Sequence, residues 1–294
     1  MDHYAQSSRI DRNVAETNVV LTFTLKILSE EKSQSPLLDL IAFKGGTCLR
    51  KIYFGTETRF SMDLDFTAIG VNYSEFAKRI QGLLNSKTYF GVTFKVEAYH
   101  RTVDDPGGFG ATVYYSHSWR SSQFKLEVSF RERPVLPIRR RMLKEELYWK
   151  YCEFGPFEVP SMEMEELIAE KIRAAHERTR SRDLYDLFIY SKAAFDENKV
   201  RSLAVLKCWN SRTAFNPDVL MQKFRENNYD WEDLKGLVRP ERMPNETKIV
   251  DQVCKRYSFL RNLDENLVSI RDDATNHRRK KLVNDVISKL NENK

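Results

Sequence analysis

The sequence predicts an α+β protein: a sheet flanked by helices, followed by an all-helical part. Two changes of pattern carry this. Up to about residue 130, short segments alternate apolar and polar residues with the two-residue period of a strand, as in Phe124-Lys125-Leu126-Glu127-Val128-Ser129-Phe130. From Ser161 onward, apolar residues recur at spacings of three and four, the period of a helix. Between the two regimes, Tyr151–Pro160 holds two prolines and a glycine, and it divides the chain into parts spanning 1–150 and 151–294.

Taken in order, Val14, Val20, Leu21, Leu25 and Leu28 predict a helix within 11–34 that packs on the sheet, closed by a polar break ending at Pro36. Leu40–Phe43 reads as a short buried strand. Lys44, Gly45, Gly46 and Thr47 break it, and Cys48–Phe54 has helical spacing. A second strand spans Leu64–Thr67, and Tyr73–Leu84 reads as a helix capped by Ser74. Three more strands follow at 92–99, 111–119 and 124–130, with an exposed turn at Asp104-Asp105-Pro106-Gly107-Gly108. Pro134 and Pro137 keep the next stretch irregular until about Ile138. In the second part, Ser161 caps a helix starting near Met164, and Asp183 reads as the N-cap of the next. Further helices are expected at 196–209, 217–227, 230–237, 246–262 and 277–291, with Trp209, Phe224, Trp231 and Tyr257 read as core.

Composition narrows the class. In 294 residues, 41% hydrophobic and 31% charged side chains describe a globular protein with ample core. No segment approaches eighteen consecutive apolar residues, so no membrane partner is expected. The N-terminus lacks the order of a signal peptide. Cys48, Cys152, Cys208 and Cys254 are scattered, without zinc-site or disulfide spacing, which predicts a cytoplasmic location. A net charge of +6 and a pI near 9.0 suit an anionic partner.

The chemistry concentrates in residues 39–67. Asp63 and Asp65 stand two apart on one strand, so both carboxylates point to one face, about 7 Å apart along the chain. Two acids held together call for something positive between them, and a divalent cation with oxygen ligands suits them. The Gly45-Gly46 turn lets the backbone approach an anion and presents N–H groups at a helix start, which suits a phosphate. Glu127 is either an ordinary acid on a half-exposed strand or a third member of this group.

These residues carry a family resemblance. Gly45-Gly46-Thr47 followed by Asp63-Leu64-Asp65 resembles the signature of the polymerase-β-like nucleotidyltransferases. The longer string Phe43-Lys44-Gly45-Gly46-Thr47 … Arg59-Phe60-Ser61-Met62-Asp63-Leu64-Asp65-Phe66 looks more narrowly like the AbiEii/AbiGii toxins of bacterial type IV toxin–antitoxin systems, to which MenT-type enzymes are related. Met62 departs from the pattern, standing where relatives usually carry an acid.

A second block extends the match. On the helix after Ser161, Met164, Leu167, Ile168, Lys171 and Ala175 share one stripe, where Lys171 either turns outward or reaches a buried anion. Asp183 and Asp186 lie on one helical face and need a partner from Lys171 or from an arginine in 178–182. Together, Lys171 … Arg178 … Arg182-Asp183-Leu184-Tyr185-Asp186-Leu187 resembles the family's Lys … Arg … Arg-Asp-x-Tyr-Asp-Leu segment.

The resemblance implies an N-terminal polymerase-β-like domain and a helical domain that completes the active site. It further implies transfer of a nucleoside monophosphate from a triphosphate to an RNA acceptor, the 3′ end of tRNA, with growth arrest as the outcome. In this reading Asp63, Asp65 and Glu127 hold Mg²⁺ or Mn²⁺. Lys44, Gly45, Gly46, Thr47, Ser61 and Lys171 hold the nucleotide, and Asp186 belongs to the same essential site. Two cation-rich stretches would contact the acceptor's backbone: Arg131, Arg133, Arg139, Arg140 and Arg141, and Arg178, Arg180 and Arg182. The remaining partner is a cognate antitoxin, which need not touch the toxin. Transfer to a protein or small molecule, or a non-catalytic nucleotide-binding module, are the other classes this pattern admits.

Overall fold

The computed structural model describes residues 2–101, 107–152 and 154–292 and separates the chain into two units. The first comprises Met1–Pro134, Ile138–Met162 and Gly236–Glu241. The second comprises Val135–Pro137, Glu163–Lys235 and Arg242–Lys294.

The first unit opens with helices α1 (Asp2–Ser8) and α2 (Arg12–Ser29), the latter capped by the Asp11 carboxylate. Strand β1 (Ile41–Lys44) leads into α3 (Gly45–Cys48), which widens into a π-helical stretch over Leu49–Phe54. Strand β2 (Asp63–Ala68) and helix α4 (Tyr73–Leu84) follow. The cap of α4 is Asn72, whose side-chain oxygen accepts from the Glu75 N–H at 2.9 Å, and not Ser74, which lies two residues on, inside the first turn. Strands β3 (Lys87–Tyr89), β4 (Val92–Arg101), β5 (Gly108–His117) and β6 (Arg120–Ser129) make a meander. Residues 104–106 of the expected turn lie outside the described residues.

Strands β7 (Arg139–Met142) and β8 (Glu158–Ser161) complete an eight-stranded sheet of order β3-β4-β5-β6-β2-β1-β8-β7. Both differ from the sequence reading. Arg139-Arg140-Arg141-Met142 has no apolar alternation because it is an outermost strand, and Pro160 of β8 stands opposite its Arg140. Ser161 therefore belongs to a strand that pairs with Phe43, not to a helix cap. Two pairings are parallel, β1 with β8 and β2 with β6; the rest are antiparallel.

A buried polar network underlies the π-helical stretch. The Arg50 guanidinium donates to Glu146 at 2.6 Å and to the Thr58 carbonyl at 3.1 Å, and it lies 3.8 Å from the Phe60 ring centroid. The Lys51 ammonium donates to the Asn18 carbonyl and side chain and to Thr22 of α2. Burial pushes the Glu146 carboxyl up, but the charges of Arg50 and Lys51 override it and hold the group down to about 2. Burial lowers Lys51 to about 8, with Glu146 opposing. Every charge here is thus met by an opposite charge or an aligned oxygen.

The second unit is helical: α5 (Met164–Glu177), α6 (Ser181–Tyr190), α7 (Glu197–Asn210), α8 (Pro217–Glu226), α9 (Glu246–Arg256), α10 (Glu265–Asp272) and α11 (Lys280–Glu292). Residues 230–237 form only a short 3₁₀ turn at Trp231–Leu234, and 246–262 ends as α9 plus a 3₁₀ turn. Helix α11 begins at Lys280, after His277 stacks on Trp209 with ring centroids 3.8 Å apart. Helix α10 had no counterpart in the sequence reading. Trp209, Phe224 and Tyr257 are buried, as expected for core, while Trp231 is half-buried.

Candidate active site

Each acid of the first unit is placed by strand parity. Along β2, Leu64 and Phe66 are buried in the core, so Asp63 and Asp65 turn to the other face and stay half-exposed. Along β6, Leu126 and Val128 are buried and Glu127 shares the opposite face with Lys125. The parallel register sets Asp63 beside Lys125 and Asp65 beside Glu127. Three carboxylate-bearing positions, 62 residues apart between Asp65 and Glu127, thus come to one patch of one face.

The glycine turn closes on that patch. Lys44 pairs with Asp65 across β1 and β2, and Gly45 follows with φ +77°. A Cβ at Gly45 would stand 2.2 Å from the Asp65 Oδ2, so no other residue fits while that carboxylate keeps its place. A Cβ at Gly46 would stand 2.5 Å from an Arg59 guanidinium nitrogen and 3.3 Å from the Ser61 hydroxyl. The buried Thr47 hydroxyl donates to the Asp63 carbonyl, tying the turn to the start of β2. Gly45, Gly46, Thr47, Ser61, Asp63, Asp65 and Glu127 are therefore neighbours.

Arg59, which opens the Arg59-Phe60-Ser61 string, is a member of this site that the sequence pattern leaves without a role. It is 5% exposed, donates to the Phe60 carbonyl at 3.0 Å, and packs its guanidinium against the turn. An arginine beside a glycine turn and two aspartates was the signal for it.

The donor set is of hard oxygens on one face, which suits a magnesium-sized cation. Among the described residues, no three His, Cys, Asp or Glu side chains lie close enough together to hold a metal ion by themselves. Such an ion takes one or two protein carboxylates and completes its shell with phosphate oxygens and water, so Asp63 and Asp65 fit it.

In the second unit, Lys171 does not turn outward. Its ammonium lies 3.0 Å from Asp183 and 2.8 Å from Asp186, two buried carboxylates of α6. Arg178 adds bonds of 2.7 and 3.2 Å to Asp183. Burial would raise the Asp183 carboxyl, but the Lys171 charge and the Arg178 hydrogen bonds hold it well below the usual range. Asp183 sits inside α6, and Arg180 occupies the cap position, so its work is ion pairing rather than capping. Glu166, fully buried, pairs with Lys207 at 2.8 Å and accepts from the backbone N–H groups of Val135 and Leu136.

Of the arginines assigned to RNA, Arg182 is held in a two-pronged pair by Asp233 and Arg178 by Asp183. Arg140 pairs with Asp39, and Arg141 lies 5.5 Å from the Tyr53 ring centroid. Arg131, Arg133, Arg139 and Arg180 are exposed.

Paired strand carboxylates, a third acid in register and an anion-ready glycine turn define a nucleotidyltransferase. More narrowly, the chain belongs to the AbiEii family, the nucleotidyl transferase toxins of type IV toxin–antitoxin systems, which it matches over residues 26–262. Among solved structures it is similar to MenT4, a nucleotidyltransferase toxin from Mycobacterium tuberculosis H37Rv, with 25% identity, a TM-score of 0.82, and coverage of 99% of this chain and 98% of that one. A Helicobacter pylori protein, JHP933, shares the fold at 16% identity and a TM-score of 0.52, covering 95% of this chain and 97% of its own. No curated protein matches the chain. No helix among the described residues is long and apolar enough to cross a membrane.

Proposed function

We propose that this toxin transfers a nucleoside monophosphate from a nucleoside triphosphate to the 3′ hydroxyl of an RNA, with tRNA as the acceptor, and so stops growth. One observation carries the reading: the strand register gathers Asp63, Asp65 and Glu127 on one face, against the Gly45-Gly46 turn. Asp63 and Asp65 would hold the magnesium ion, which when bound supplies charge neutralisation for the triphosphate. The backbone of Gly45, Gly46 and Thr47, with Lys44 and Ser61, holds the phosphates. Glu127 accepts the proton of the acceptor hydroxyl. The hydroxyl oxygen bonds to the α-phosphorus as the bond from that phosphorus to the bridging oxygen breaks, and pyrophosphate leaves. Asp186 keeps Lys171 in place. The exposed arginines at 131, 133, 139 and 180 meet the acceptor's phosphates. A cognate antitoxin counters the toxin and need not touch it.

The test is incubation with each α-labelled triphosphate, magnesium and either total tRNA or a protein lysate. Wild-type protein is expected to label RNA. Asp63→Asn should lower labelling by at least a thousandfold and remove toxicity on expression, with an unchanged melting temperature. Labelled protein beside unlabelled RNA, or undiminished toxicity of Asp63→Asn, overturns the proposal.

A further inference from the structure

The face that carries Asp63, Asp65 and Glu127 continues beyond β6. Antiparallel pairing sets Gly110 of β5 beside Glu127, Thr112 beside Lys125, Tyr114 beside Gln123 and Ser116 beside Ser121. On the next strand, β4, Lys95 stands beside Tyr114 and Thr93 beside Ser116. Residues paired in this way share a face of the sheet. Burial agrees: Phe94, Val113 and Phe124 fill the core, while Lys95, Tyr114, Gln123 and Lys125 are exposed on the opposite side.

On this face, which also carries the acid Glu97 beside Thr112, Tyr114 is an exposed aromatic ring, 37% exposed. The Lys95 ammonium stands 5.8 Å from its ring centroid and is held by Glu97 at 2.6 Å. A cavity of about 700 Å³ at this end of β4, β5 and β6 is lined from both faces, by Lys95, Tyr114 and Gln123 and also by Phe94 and Tyr115 of the core side.

We infer that this face is the track of the acceptor, with a single-stranded RNA end crossing β6 and β5 and one base stacked on Tyr114. The inference rests on the RNA-acceptor reading above and adds where that acceptor lies. Direction comes from topology. The phosphate turn follows β1, on one side of β2, and β6 flanks β2 on the other. In-line displacement brings the hydroxyl in opposite the leaving pyrophosphate, hence from the β6 side. There Gly110 puts no side chain beside Glu127.

Tyr114 stands four positions along the strand from Gly110, about 13 Å, within reach of a short unpaired end. An exposed ring takes any base by its flat face, and hydroxyl and amide side chains serve the sugars and phosphates. An extended polypeptide acceptor would instead need a sheet edge or alternating side-chain pockets, and this polar face has neither character.

The experiment measures RNA labelling kinetics and, without triphosphate, anisotropy of a fluorescent single-stranded RNA oligonucleotide. Tyr114→Ala is expected to raise KM for RNA and weaken oligonucleotide binding by about tenfold or more. The KM for triphosphate, kcat and the melting temperature should be unchanged. Tyr114→Trp should restore binding and Tyr114→Ser should not. If Tyr114→Ala binds and uses RNA as the wild type does, the track is wrong while the transferase reading stands. If wild-type protein labels and binds no RNA, the RNA-acceptor reading fails and takes the track with it.

Discussion

Asp65 dictates what can stand at Gly45. The glycine has φ +77°, a region costing an L side chain on the order of 1 kcal/mol, and any Cβ would lie 2.2 Å from the Asp65 Oδ2. The Asp65 Cβ, fixed to β2, would also lie 2.9 Å away, so an added methyl displaces the carboxylate and shifts the turn slightly as well. Gly45→Ala should therefore keep the fold with a melting temperature lowered by a few degrees, yet cut nucleotidyl transfer by about a hundredfold or more, the scale of a misplaced reacting group. A melting curve and a labelling assay on one preparation check both halves. Activity within a few-fold of wild type would mean that the position of this carboxylate is not critical.

Helices α5 and α6 are joined by charge as well as by packing. Lys171 reaches from the apolar stripe of α5 to Asp183 and Asp186, which are 1% and 0% exposed, and Arg178 closes on Asp183 from the intervening turn. Removing one member of such a cluster strands buried carboxylates, at a cost of about 3–5 kcal/mol. Lys171→Met should thus lower the melting temperature by roughly 10 °C, measurable by circular dichroism. An inactive Lys171 variant is then ambiguous evidence for phosphate binding, whereas Asp63, half-exposed on β2, is the cleaner probe of chemistry. An unshifted melting curve would show that Arg178 alone satisfies both acids, contrary to this account.

At the scale of the molecule, what was legible in the chain is what is local. Two aspartates two apart on one strand, a glycine pair after a buried run, and Lys171 in an apolar stripe each show within a dozen residues. The rest depends on partners distant in sequence: Arg50 with Glu146 across 96 residues, the register of Glu127 with Asp65, and Glu166 with Lys207. Strand β7 escaped for a related reason, since four residues, three of them arginines, carry no alternation and are a strand only because β8 is there to pair. The division near residue 150 is likewise more tangled than composition suggests. Gly236–Glu241 returns to the first unit, where the Leu237 carbonyl accepts from the Phe60 N–H at 2.7 Å, three residues before Asp63. A fragment ending at Met162 lacks that acceptor and leaves the Phe60 N–H without its backbone partner, a loss of about 1–3 kcal/mol for a buried donor. We expect residues 1–162 expressed alone to melt below the full chain and to exchange the Phe60 amide far faster, with Asp63 and Asp65 poorly positioned as a result. Hydrogen exchange on the fragment, compared with the intact protein, decides it. Equal protection at Phe60 would mean that residues 58–62 hold their shape through Arg50 and Glu146 alone.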